Sequence, residues 1–202
     1  MGGGGGTLIT KSLTANGTYT AIDDNADGYS QVSVSVPDAA QALINQTITS
    51  VTVDEGLTKL RNRIFEGCRL LTSVVLPSTL TYIDGYAFDG CTNLTSVNIP
   101  DSVSTIYSCA FRSCSSLTRI KLPDNCTIYN SAFQGCTSLT EIDCTALTVT
   151  GSTVNTVLSN SNAFSNTGNA QFVFATQSIM EVYAQASQWV NFVSRMTYVG
   201  AQ

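Results

Sequence analysis

The sequence predicts a right-handed solenoid, mostly β and irregular, with one short parallel strand per coil. A small N-terminal β module and a C-terminal helical cap flank it. Three observations carry this. The segments Phe65-Glu66-Gly67-Cys68, Phe88-Asp89-Gly90-Cys91, Phe111-Arg112-Ser113-Cys114 and Phe133-Gln134-Gly135-Cys136 recur at an even interval that shortens by a single position before the last. Self-similarity at such a period marks units that cannot bury an apolar face alone and must stack on a neighbour. Each unit also holds a short run of alternating apolar and polar residues, the period of a strand with one buried face. Three of the runs stop at a proline, Pro77, Pro100 or Pro123, which cannot donate to a ladder.

The chain divides into four parts. Residues 1–6 are a glycine tail, flexible by composition. Residues 7–44 form a β module and linker: Asn16-Gly17 suits a tight hairpin turn, and Gln31-Val32-Ser33-Val34-Ser35-Val36 alternates as a half-buried strand. Residues 45–170 are the solenoid, with strands expected at 49–53, 73–76, 96–99, 119–122 and 141–144. An eroded first unit carries Ile48, Val51, Val53, Leu57 and Leu60, each one full repeat ahead of Leu71, Val74, Leu76, Leu80 and Ile83. Residues 171–202 form the cap, with a last strand at Phe172-Val173-Phe174 and a helix over 178–192 that turns Ile179, Val182, Tyr183 and Ala186 to one side.

Within the coils, Phe65, Phe88, Phe111 and Phe133 are expected to be buried in one column beside Ile83, Ile106 and Ile128. The seven cysteines are expected to be free and buried, since Cys68, Cys91, Cys114 and Cys136 occupy one repeat position and free Cys packs as a small apolar residue.

This pattern, AF-x-G-C-x-x-L-x-x-[IV]-x-[LI]-P, resembles the BspA-type leucine-rich repeat over residues 46–145. It differs from the ordinary leucine-rich repeat, whose Asn or Cys ladder after the strand is replaced here by Pro. The resemblance implies a leucine-rich repeat solenoid ending in a helix that carries a Tyr and a Trp. It also implies a binding or adhesion role in a surface-exposed or secreted bacterial protein, with a protein or glycan on a host or neighbouring cell as partner. The wording N-G-T-Y-T…D-G-Y-S-x-V-x-V-x-V is similar to a short β module of prophage tail-associated and cell-surface proteins of gut bacteria. That similarity supplies the alternative, a structural component of a phage or prophage tail, with a virion or cytoplasmic location.

Composition narrows the function further. Charged residues are only 11% of the chain, the net charge is −5, and no basic patch appears, so nucleic acid is not an expected partner. No apolar run approaches the ~20 residues of a membrane helix. The chain opens on Met1 and five glycines instead of a charged-then-apolar leader, so a surface location rests on the resemblance. With no histidine, Ser-His-Asp and Cys-His arrangements are impossible and no catalytic residue is assigned. Asp23, Asn25, Asp27 and Gly28 match the first half of a calcium loop, but Val34 stands where the bidentate Glu belongs, so a plain turn is expected. No metal or other cofactor is expected.

The candidate binding face follows from strand alternation. Side chains pointing away from the core are Ser73 and Val75, Ser96 and Asn98, Arg119 and Lys121, and Glu141 and Asp143. Stacking would set these pairs side by side, neutral at one end, then positive, then negative. Arg119 is expected to pair with Glu141 and Lys121 with Asp143. The second candidate is the turn face carrying Tyr82, Tyr86, Tyr107 and Tyr129.

Overall fold

The computed structural model describes residues 18–21, 48–53, 55, 58–60 and 62–200. The Asn16-Gly17 turn, the Asp23–Gly28 segment and the Gln31–Val36 run lie outside them. A first strand, β1 (Thr18–Ala21), precedes the coils. Each coil then carries two strands where the sequence predicts one. They are β2 (Ser50–Val53) and β3 (Lys59–Leu60), β4 (Ser73–Val75) and β5 (Tyr82–Ile83), β6 (Ser96–Val97) and β7 (Thr105–Ile106), β8 (Arg119–Lys121) and β9 (Thr127–Ile128), then β10 (Glu141–Cys144). Before the next coil closes, a hairpin of β11 (Val149–Thr150) and β12 (Thr153–Val154) is inserted, followed by β13 (Val157–Leu158). The chain ends with β14 (Gln171–Phe174), helix α1 (Gln177–Gln185), a 3-10 helix over Trp189–Arg195, and β15 (Met196–Tyr198).

Two parallel sheets result. The front sheet runs β1-β2-β4-β6-β8-β10-β14-β15, and the rear sheet β3-β5-β7-β9-β13. Inward residues face the space between them. Val74, Val97, Ile120, Ile142 and Phe172 stand in line on the front, and Leu60, Ile83, Ile106 and Ile128 on the rear, all buried. The front strands end before Leu76, Ile99 and Leu122, earlier than expected, because the following proline offers no N–H to extend the ladder.

A third column closes each coil. Phe65, Phe88, Phe111 and Phe133 are buried and stacked, with ring centroids 5.3, 5.1 and 5.2 Å apart. The column then continues to Phe164, 5.2 Å from Phe133, so Ala163-Phe164 is a further copy of the Ala-Phe pair. The inserted hairpin pushes that copy out of step with the others, which hides it from a search at the regular period.

The backbone beside these rings has its own ladder. The N–H groups of Phe65, Phe88, Phe111 and Phe133 donate to the carbonyls of Ala87, Ala110, Ala132 and Ala163 in the next coil, at 2.7 to 2.8 Å. Arg63 and Gly67 donate in the same sense to Gly85 and Asp89, and Tyr86 and Gly90 to Ser108 and Arg112. Two left-handed residues per turn aim these amides one way: Arg63, Tyr86, Cys109 and Ser131, then Gly67, Gly90, Ser113 and Gly135. The glycine of the motif serves the second position, where a Cβ is disfavoured; Ser113 takes the same conformation at φ 60°.

The cysteines complete this layer. All seven are free and buried. The Sγ atoms of Cys91, Cys114 and Cys136 donate to the carbonyls of Phe65, Phe88 and Phe111 at 3.1 to 3.2 Å. A thiol therefore fits a site that needs small volume and a weak donor. Burial pushes the Cys68 and Cys126 thiols up to about 12.

The cap closes the last coil. Tyr183 and Trp189 are buried against Phe174, and Trp189 also meets Phe172. Both anchor on buried Thr156: its N–H donates to the Tyr183 hydroxyl at 3.1 Å, and its carbonyl accepts from Trp189 Nε1 at 3.1 Å. The single helix expected over 178–192 is broken after Gln185, where Ala186 turns extended at ψ 144°, and Gln188 at φ 68° then redirects the chain so that Trp189 drops onto the core. The last strand is β15, beyond the helix, and it pairs with β14.

Two outcomes follow. Phe111→Ala removes a ring stacked on both sides and should cost about 3–5 kcal/mol in chemical denaturation; a loss under about 1 kcal/mol would contradict the column. Raised thiols favour the native state fully below the unfolded-state value near 9, and that advantage is lost as pH climbs from there toward about 12. Stability should therefore fall above about pH 9 by ~1.4 kcal/mol per unit for each of these two thiols. Cys68→Ala and Cys126→Ala should each flatten that slope.

Candidate functional site

The front sheet gathers all eight expected side chains on one face. Register sets Ser73 beside Ser96, Ser96 beside Arg119, Arg119 beside Glu141, and Lys121 beside Asp143. Val75 and Asn98 complete the neutral end, and both are exposed.

The charged end is paired within itself, though not entirely as expected. Arg119 Nη2 lies 2.9 Å from Glu141 Oε1 and 3.0 Å from Asp143 Oδ2, so one guanidinium serves both carboxylates. Lys121 lies in register with Asp143, yet its ammonium bonds Asp101 at 2.8 Å, on the turn after Pro100. The reason lies in the acids: Asp143 already takes Arg119 and the N–H and hydroxyl of Thr145, the latter two at 2.9 and 2.6 Å. Burial opposes ionisation of Asp143, but the Thr145 and Arg119 hydrogen bonds outweigh it and hold the carboxyl below its ordinary value.

The neutral end differs. Among the described residues, Ser73, Ser96 and Asn98 make no side-chain hydrogen bond within the chain, and Val75 is 59% exposed. Polar groups and one apolar side chain are thus left to solvent or to a partner.

The tyrosines do not form one face. Tyr82 lies on β5, and Tyr107 and Tyr129 directly follow β7 and β9. Tyr107 and Tyr129 stack at 5.1 Å, while Tyr82 and Tyr107 splay at 6.5 Å and 32°. Tyr86 instead occupies the phenylalanine turn, with the Arg63 guanidinium 4.3 Å and the Arg112 guanidinium 5.2 Å from its ring centre. Arg112 in turn forks onto the buried Asp89 carboxylate, which raises the guanidinium further above its ordinary value. Lys59 and Asp84 are not singled out by sequence. Their signal is register: Lys59 stands one repeat before Tyr82, and Asp84 one repeat before Tyr107.

Among the described residues, no cluster of Cys, Asp and Glu side chains could hold a metal ion. No helix among them is long and apolar enough to cross a membrane.

Stacked coils with buried columns and two in-register outer faces define a leucine-rich repeat solenoid. The family model for the BspA type leucine rich repeat region matches residues 39–166 in six copies, and the chain belongs to that family. No curated protein matches it. Among solved structures, a leucine rich repeat protein of T. pallidum is similar at 21% identity and a TM-score of 0.55, covering 94% of this chain and 77% of that one. The pneumococcal vaccine antigen PcpA is similar at 17% identity and a TM-score of 0.52, covering 76% of this chain and 35% of that one. At these identities the likeness shows the fold.

The exposed ion pairs should matter little to folding. Arg119→Ala/Lys121→Ala should lower stability by no more than about 1 kcal/mol per pair, and by less at high salt. Denaturation at low and high ionic strength checks this.

Proposed function

We propose that the chain is a non-enzymatic protein-binding module of a bacterial surface or secreted protein, and that it engages a protein on a host or neighbouring cell through the neutral end of the front sheet. The observation that carries this is the contrast along that face. Among the described residues, Ser73, Ser96 and Asn98 have no side-chain partner and lie beside the exposed Val75, whereas the charges next to them are already paired. An apolar centre flanked by available polar groups suits a protein contact. The paired charges orient and steer a partner more than they add affinity. Family membership and a likeness to a vaccine antigen support placing the module outside the cell. The alternative, a part of a phage tail, draws its support from the sequence of residues 16–36.

The test is capture of host-cell or phage proteins on the immobilised chain, followed by binding measurements on the identified partner. Val75→Arg and Ser96→Arg should each reduce affinity at least tenfold while leaving the melting temperature within a few degrees. Arg119→Ala/Lys121→Ala should mainly slow association. Binding unaltered by both neutral-end variants overturns the assignment of this face.

A further inference from the structure

The front sheet ends on an open edge. β15 is its last strand, and among the described residues no strand pairs with its outer side. The Val199 N–H donates inward to the Phe174 carbonyl at 2.9 Å. Backbone groups alternate sides along a strand, so Thr197 also faces β14, while Met196 and Tyr198 hold their N–H and C=O groups outward. Natural edges are commonly guarded by Lys or Pro, and Met196-Thr197-Tyr198 has neither. The layer around this edge is apolar. The 3-10 helix lays Trp189 and Phe192 on Phe172, with 5.8 and 5.1 Å between ring centres. Val190 and Val193, one 3-10 turn apart, form the neighbouring stripe and are 56% and 45% exposed. Val199, where the strand ends, is 63% exposed.

Charge restricts what fits there. From Ala186 to Gly200 the only charged side chain is Arg195. It is turned back on the fold: Nη1 donates to Thr167 Oγ1 at 3.1 Å and to the Gly168 carbonyl at 2.8 Å, and the guanidinium lies over the Phe172 and Phe192 rings. A charged partner finds no complement on this segment. A second copy of the chain, although its net charge is −5, meets it here without opposing like charges. The strand also matches itself. Thr197 is in register with Val173 and points outward, while Met196 and Tyr198 follow the buried Phe172 and Phe174. About a two-fold axis at Thr197, an antiparallel copy sets Met196 opposite Tyr198 of the second copy, where the two exchange N–H and C=O bonds. The two Thr197 side chains then meet in the close pair without backbone bonds. A three-residue strand is a weak seam alone, so the valines must add apolar area. We propose that the chain forms a two-fold dimer through the outer edge of β15, with Val190, Val193 and Val199 buried around it. Such a contact is isologous and closes on itself. It joins two front sheets into one, with both faces turned the same way. If the front sheet is the binding face, as proposed above, the dimer meets one cell surface with two of them and gains avidity.

The test is sedimentation velocity on the full chain from low to high micromolar concentration. A dimer should grow in with concentration, and growth should stop there. Thr197→Lys and Thr197→Glu should each weaken the dimer at least tenfold. An equimolar mixture of the two should restore it, because only the mixed pair sets opposite charges across the axis. Val193→Glu disturbs the same contact away from the strand and should also weaken it at least tenfold, so the proposal stays testable if a Thr197 variant fails to fold. A melting temperature within a few degrees of the parent identifies the folded variants. Val75→Arg should leave the dimer unchanged, which separates failure here from failure of the front-sheet assignment. A monomer at every concentration, or open-ended growth into larger species, overturns the proposal. So does a dimer indifferent to Thr197→Lys and Val193→Glu, or one that mixing the folded Thr197 variants does not restore.

Discussion

Everything else in this structure depends on the match between two spacings in one column. Backbone hydrogen bonding between coils sets a repeat near ~4.8 Å. Stacked aromatic rings prefer centroids ~4.5–7 Å apart. The phenylalanine turn satisfies both, with rings 5.1 to 5.3 Å apart and N–H groups 2.7 to 2.8 Å from the alanine carbonyls of the next coil. Extra residues at the column would break ring contact and hydrogen bond together. The one large insertion in the described coils, the β11–β12 hairpin, accordingly lies well before Ala163-Phe164 and leaves the column intact.

That column was legible because Phe, Gly and Cys recur at a fixed spacing and each has a physical reason to do so. The inward front positions were legible for the same reason, through Val74, Val97, Ile120 and Ile142. The rear strands were not: Tyr82-Ile83 and Thr105-Ile106 are too short for alternation to register as a period. The last Ala-Phe pair was displaced by the hairpin. The break in the cap helix lies in the backbone of Ala186 and Gln188, residue types that give no warning of it. β15 is short, and it follows a helix that by its sequence reads as the end of the fold.

The candidate site was legible to a similar depth. Alternation placed the eight outward side chains on one face, because a period of two leaves no other choice once the inward residues are known. Partners within that face depended on reach and competition. Arg119 spans two carboxylates while Lys121 turns away to Asp101, and neither outcome is written in the spacing.

The amides of Phe65, Phe88, Phe111 and Phe133 and of the left-handed residues on either side donate toward the following coil, and this gives that seam an electrical direction, opposed to the seam in which Thr72, Thr95 and Thr118 donate to the preceding coil. In an ordinary ladder between strands, neighbouring peptide dipoles largely cancel. Within the phenylalanine seam these amides add, as they do along a helix axis, with the N–H end toward the C-terminal cap and the carbonyl end toward the first coil. A coil can therefore join the stack in only one orientation, since a reversed one would set donor against donor. Gain or loss of whole repeats, always facing the same way, is the one change in length that this seam accepts without leaving unpaired amides inside it.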